Sequence, residues 1–166
     1  MPAPNNPPAV IRRARPNEAA ALSDLALRSK AHWGYDDAFM DACRAELSVS
    51  PEDIERHIVV VALVGCEIAG FYSLEPDSDG GGEVDALFVQ PDFIGRGIGR
   101  RLFADLCRRA EVAGCHAIFL ESDPFARGFY ERMGCAIIGE APSGSIPGRL
   151  LPRMHRRLGM DAAAEV

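Results

Sequence analysis

The chain has one lysine, Lys30, among its 18 basic residues, so nearly every cation it offers is an arginine. It has no basic excess either. With 24 acidic residues the formal net charge is -6 and the isoelectric point about 5.2. A surface of that sign gives no footprint for releasing counterions from DNA or RNA, so no nucleic-acid partner is expected. No two cysteines have C-x-x-C spacing; Cys43, Cys66, Cys107, Cys115 and Cys135 stand singly, without a histidine at metal-ligand spacing. That excludes a zinc pattern and a disulfide framework, and points to reduced thiols in a cytoplasmic protein without a metal. A run of about 18 apolar residues is also absent, as is a basic-then-apolar leader, so neither a membrane partner nor export is expected.

What is present fits a soluble fold. With 166 residues, 48% hydrophobic and 25% charged, the chain is long enough to bury one core. The expected organisation is a single domain over residues 10–158, between a proline-rich tail at 1–9 and a small acidic tail at 159–166. "VIRRA" reads as a first strand, and a helix follows with Asn17 as its cap and Leu22 and Leu25 on its apolar face. "AFMDACRAELSV" repeats helical spacing, and Ser50-Pro51 opens a short helical turn. The period then changes. "HIVVVALV" and "EIAGFYSLE", joined at Gly65, read as a hairpin.

"EVDALFV" reads as a strand with Glu83, Asp85, Leu87 and Val89 on one face and Val84, Ala86 and Phe88 on the other. It runs into "VQPDFIGRGIGRRLF", and from Gly97 onward Ile98, Leu102, Leu106 and Ala110 recur at helical spacing up to Gly114. "CHAIFLES" is then a buried strand, "PFARGFYERM" a short helix after Asp123, "CAIIGE" a strand, and "PRMHRRL" a last edge strand.

A strand that ends in a glycine-rich turn and feeds a helix points several backbone N–H groups at one spot, with the positive end of the helix dipole behind them. That arrangement suits a phosphate, and Arg96, Arg100 and Arg101 can add charge at its rim. The spacing Gly95-x-Gly97-x-Gly99 is neither the dinucleotide fingerprint G-x-G-x-x-G nor a P-loop, which needs G-K-[ST]. Taken alone it is equally a tight helix start.

Two segments carry a resemblance. "VQPDFIGRGIGRRL" resembles the acetyl-CoA-binding segment of the GNAT superfamily of N-acetyltransferases, and "LESDPFARGFYERMGC" resembles that family's second segment, Asn-x-x-Ala-x-x-x-Tyr before a glycine. The chain departs from the pattern at Ile94, where Gln or Arg is usual, and at Asp123, where Asn is usual. The resemblance implies an α/β GNAT fold: a central, mixed, mostly antiparallel sheet flanked by helices, in which two parallel strands, "EVDALFV" and "AIFLE", splay to form the acetyl-CoA cleft. It implies acetyl-CoA as acyl donor, contacted by Leu87, Phe88 and Val89, by Ile94, Gly95, Arg96, Gly97, Ile98, Gly99 and Arg100, and by Asp123, Ala126, Phe129 and Tyr130.

The same resemblance implies direct attack of a primary amine of a small molecule or peptide on the thioester. A free alkylamine has a pKa near 10.4, so a proton acceptor is needed, and Glu83 or Asp85 stands where the family places one. The backbone N–H of Leu87 matches an oxyanion donor and Tyr130 the acid that protonates the leaving thiolate. For the acceptor, Trp33 and Tyr35 offer an aromatic wall, Asp36 and Asp37 attraction for an amine, and Ser143, Ser145 and Arg149 contacts for a carboxylate. Trp33 serves equally well as a core plug. Two other readings remain open, a non-catalytic acyl-CoA-binding module and an unrelated nucleotide-binding protein. The fold also allows a homodimer paired through terminal strands.

Overall fold

A computed structural model describes residues 8–159. Most of the expected tails, residues 1–7 and 160–166, therefore lie outside the described residues. One sheet carries seven strands: β1 (Val10–Arg13), β2 (Ile58–Val64), β3 (Glu67–Pro76), β4 (Gly81–Val89), β5 (Ala117–Glu121), β6 (Ala136–Pro142) and β7 (Leu150–Arg157). Their spatial order is β1-β2-β3-β4-β5-β7-β6. Only the β4–β5 pair is parallel. The segment "PRMHRRL" is therefore not the expected edge: β7 lies between β5 and β6, and β6 forms the edge, because the last two strands fold back as a hairpin beside β5.

Five helices cover the two faces: α1 (Ala19–Ala31), α2 (Asp37–Cys43), α3 (Pro51–Arg56), α4 (Ile98–Val112) and α5 (Arg127–Arg132). The expected stripe of α4 is buried, with Leu102, Leu106 and Ala110 fully inaccessible. Each such leucine contributes about 1.5–3 kcal/mol by burial. Leu22, Leu25 and Ile54 of α1 and α3 pack with Val59, Val61 and Phe71 on the opposite face. Asn17 does not cap α1. It lies in a short 3-10 turn, Pro16–Glu18, whose first residue is proline, so Glu18 is the N-cap and the helix begins one residue later than a cap at the asparagine would set it.

The expected alternation along β4 is also broken. Ser73 pairs with Ala86 but Leu74 pairs with Val84, which leaves Asp85 as an extra residue, a β-bulge. Beyond it the faces shift by one. Val84, Leu87 and Val89 pack on the α4 side, while Ala86 and Phe88 pack on the α1 side.

Gly70 of β3 lies tightly under α4: a Cβ there would stand 2.8 Å from the Phe88 carbonyl oxygen of β4 and 3.0 Å from Leu102 of the helix. Gly70→Ala is expected to lower unfolding stability by about 1–3 kcal/mol through overpacking, read from the denaturant midpoint.

Candidate active site

The parallel strands β4 and β5 pair only over Gly81–Glu83 and Ala117–Phe119. From Val84 onward the β5-facing edge of β4 has no strand partner. A cavity of about 1110 Å³ opens through this gap and reaches both faces of the sheet. Ile98, Phe129 and Tyr130 line it from the α4 side, and Ser29, Asp53 and His57 from the α1 side.

The glycine turn lies at one mouth. Gly95 and Gly97 have φ of 82° and 80°, a region that L side chains avoid, and Gly97 is the N-cap of α4 without a side-chain cap. The first N–H groups of α4 have no partner within the helix. Gly99 serves packing instead: a Cβ there would meet the Phe129 ring at 3.2 Å. Ile94, Ile98 and Arg100 line the cavity beside them. Arg96 and Arg101 do not. The Arg96 guanidinium lies 5.3 Å over the Phe93 ring, and both arginines border a separate crevice near Pro8 and Val64, so Arg96 has only its backbone to offer the turn.

Tyr130 is 7% exposed, with its ring against Phe103 and Phe129, and it borders the cavity. Burial first, then the nearby Cys135 and Asp123, hold its hydroxyl well above the ordinary tyrosine pKa, so it stays a proton donor at neutral pH. Leu87, Phe88, Val89, Ala126 and Phe129 also line the cavity. Cys107, Cys115 and Cys135 do not border it, and burial pushes the Cys135 thiol up to about 12, far from a reactive thiolate.

The two strand acids differ. Arg153 grips Glu83 with both guanidinium nitrogens, at 2.5 and 2.8 Å. Asp85 sits on the bulge without a hydrogen-bond partner among the described residues. Its surroundings push its carboxyl up to about 6, by desolvation first and then by the neighbouring Glu75, with Glu83 and Asp53 adding to it and His57 opposing. Asp85 and Glu75 are both exposed residues, and the shift comes from the protein packed around the Asp85 carboxyl and from like charges beside it. His57, Glu75 and Asp85 bring one ligand atom each within 4.8 Å of one another, a spacing that a metal ion also accepts.

On the opposite wall, Asp123 accepts hydrogen bonds from the Tyr35 hydroxyl at 2.9 Å, Lys30 Nζ at 3.2 Å and the Phe125 N–H at 2.9 Å. Burial alone would raise its pKa, but these donors together lower it. Arg149 donates to the Tyr35 hydroxyl at 2.7 Å and lies 3.6 Å from the Asp123 carboxylate. Arg149 and Asp123 border the cavity; Tyr35 stands behind them, stacked on Phe39, and is not part of the lining. Trp33 does not plug the core: it is 39% exposed, lines the cavity and stacks on Phe125. Asp36 caps α2 through the Phe39 N–H, and Asp37 lies in the first turn of that helix; neither borders the cavity. Ser143 borders the cavity and accepts from the N–H groups of Ser145 and Ile146 in its own loop, whereas Ser145 does not border it and its hydroxyl ties the loop to Glu46, beyond α2.

Sequence reasoning missed Ser73, Glu75, His57, Lys30 and Arg153. One signal was available: the hairpin register sets Glu75 opposite Glu83, a like-charge pair that only a partner or a function explains. Arg153 lies 70 residues from Glu83, beyond any local pattern.

This cleft is the setting for comparison with known proteins. The model of the acetyltransferase (GNAT) family matches residues 21–135, and the chain belongs to that family. It is 32% identical over 133 residues to peptidyl-lysine N-acetyltransferase YjaB of Salmonella typhimurium, covering 79% of this chain and 86% of that protein. It is 31% identical over 93 residues to glucosamine 6-phosphate N-acetyltransferase of Trypanosoma brucei brucei, covering 49% of this chain and 63% of that protein. Among solved structures, PaiA N-acetyltransferase of Thermoplasma acidophilum in complex with coenzyme A aligns with a TM-score of 0.74 at 18% identity, over 90% of this chain and 98% of that one. The mixed sheet with flanking helices is the fold of this family, and the protein is an acetyltransferase of it.

Because the folded protein holds the Asp85 proton more tightly than the unfolded chain does, ionising Asp85 costs stability. That cost is absent below the ordinary carboxyl range, near 4, and grows until pH passes about 6. Asp85→Asn is expected to raise the melting temperature at pH 7, with the gap closing toward pH 4, as read by calorimetry.

Proposed function

We propose that the protein transfers the acetyl group of acetyl-CoA to a primary amine, by direct attack within a ternary complex. The observation that carries this reading is the single cavity passing through the sheet where β4 leaves β5. A donor lying against the glycine turn on the α4 side and an acceptor on the α1 side meet at the gap without either blocking the other. Two curated relatives are named for acetylating amines of quite different kinds, an amino sugar phosphate and a peptide lysine, which supports the amine as the common element.

The residues take the following parts. The N–H groups of Gly95, Arg96, Gly97, Gly99 and Arg100 hold the pyrophosphate of acetyl-CoA, with the Arg100 side chain beside it. Leu87, Phe88 and Val89 present the free strand edge to the pantetheine arm, and the Leu87 N–H bears the charge that develops on the thioester oxygen. Asp85 takes the proton of the attacking amine, directly or through one water. Glu83 is less suited, since a base tied to Arg153 gains little by accepting a proton. As the carbon–sulfur bond breaks, Tyr130 gives its proton to the CoA thiolate. Asp123 is a positioning residue: it fixes Lys30, Tyr35 and Arg149 at the acceptor side of the cleft.

CoA release measured across a panel of primary amines tests this. Amine-dependent release is expected, reduced about 10²-fold in kcat by Tyr130→Phe with acetyl-CoA binding retained. For the parent, kcat/KM is expected to rise as pH passes through about 6, when Asp85 loses its proton, and Asp85→Asn is expected to be slower and to lack that limb. Tight acetyl-CoA binding with no turnover on any amine would contradict the transferase reading and favour a non-catalytic acyl-CoA-binding module.

A further inference from the structure

Lys30 and Arg149 line the α1 side of the cavity but are engaged by Asp123 and Tyr35, which leaves the β3–β4 part of that wall with carboxylates and no arginine or lysine to spare. Phe71 of β3 packs on the α1 face, and the alternation of the strand brings Ser73 and Glu75 to that face with it. Glu75 stands opposite Glu83 on β4, and Ser73 stands opposite Ala86, next to the bulged Asp85. Arg153 is occupied by Glu83, and the Nε2 of His57 lies 3.5 Å from Glu75. Asp53 borders the same space, but its carboxylate caps α3 through the Ser50 N–H. Glu75 and Asp85 thus share one pocket with no arginine or lysine on either of them.

A second observation is independent of the charges. The Ser73 side chain is on a residue only 6% exposed, borders the cavity, and has no hydrogen-bond partner among the described residues. Ser29 of α1, at 8% exposed, presents a second hydroxyl of the same kind. Neither hydroxyl oxygen is sealed from the cavity, so both residues, buried otherwise, present an open hydroxyl to whatever enters it.

Resting on the transferase reading, we propose that the acceptor is a short aliphatic diamine or the diamine end of a polyamine. Its non-reacting ammonium lies between Glu75 and the Ser73 hydroxyl, and its second nitrogen faces Asp85. The ammonium supplies Glu75 with a cation where neither lysine nor arginine reaches it. The second nitrogen loses one proton to Asp85 and attacks the acetyl carbon; as the carbon–sulfur bond breaks, the thiolate takes the proton from Tyr130, and the surplus proton left on the nitrogen restores the Tyr130 hydroxyl. The products are a monoacetylated diamine and CoA. An acceptor with a carboxylate in place of the second ammonium meets Glu75 and Asp85 as like charges.

Three probes of similar length separate these terms: 1,4-diaminobutane, butylamine and 4-aminobutanoate, assayed by CoA release with a chelator present to keep metal ions off His57, Glu75 and Asp85. The diamine is expected to exceed butylamine about tenfold in kcat/KM, and 4-aminobutanoate to fall below butylamine. Glu75→Gln is expected to bring the diamine-to-butylamine ratio to within about twofold of unity, chiefly through KM, and Ser73→Ala to lower it about threefold. A ratio near unity in the parent, a ratio unchanged in Glu75→Gln, or a preference for 4-aminobutanoate overturns the proposal. Calorimetric titration of the CoA-bound protein with the diamine and with 4-aminobutanoate decides the same question without turnover. If no amine is acetylated, the transferase reading fails and with it the role of acceptor, while tighter binding of the diamine still supports a diamine site at Glu75 and Asp85 and equal binding removes it.

Discussion

The parting of β4 from β5 after three paired residues is the constraint on which everything else rests. A parallel pair inside a sheet normally continues, because each buried backbone group left without a partner costs about 1–3 kcal/mol. Here the strands are clamped below the parting and held open above it. Below, the Gly81–Glu83 ladder is reinforced by the His116 N–H on the Gly80 carbonyl at 2.7 Å. On the α4 face, that helix is fixed to β3 by the Tyr72 hydroxyl, which donates to Asp105, itself held by Arg108 and Arg109. On the other face, the Asp123 cluster ties α1, the loop after β5 and the loop before β7 to one point. The unpaired strand edge is thereby left open between two walls that are each tied down by side-chain bonds.

The bulge at Asp85 does for the side chains what the parting does for the backbone. It turns one acid into the cavity beside a second, Glu75, while a third, Glu83, is neutralised from β7. Such a cluster opposes folding, since like charges on adjacent strands repel and desolvation adds to the cost. Proteins keep groups of this kind where activity depends on them and recover the stability elsewhere. In this chain the recovery comes from the fully buried leucines under α4 and from a sheet that is antiparallel everywhere but at the cleft.

Much of the fold was legible because its signals are local. The 3.6-residue stripe of α4, the hairpin at Gly65 and the glycine ends of α4 and α5 each need only a short window of sequence, and all are present. The place of β7 was not legible, since strand order is set by which edges remain open after the other strands have paired. Nor was the bulge: one inserted residue leaves no mark on composition yet moves Leu87 and Val89 to the opposite face from the one simple alternation assigns. At the site, the residues of the glycine turn and Tyr130 could be named from the pattern. The partners that distinguish Glu83 from Asp85, and the set around Asp123, come from segments 70 and more residues apart, where only the folded chain brings charge to charge.

Backbone hydrogen exchange, read residue by residue with and without acetyl-CoA, tests the central claim most directly, because it reports on main-chain amides rather than on side chains. If the parted strand and the glycine turn together form the donor site, amides within Leu87–Val89 and Gly95–Arg100 will gain protection on binding, and the paired residues Gly81–Glu83 will change little. Protection confined to the crevice by Arg96 and Arg101, or none along β4, would contradict it.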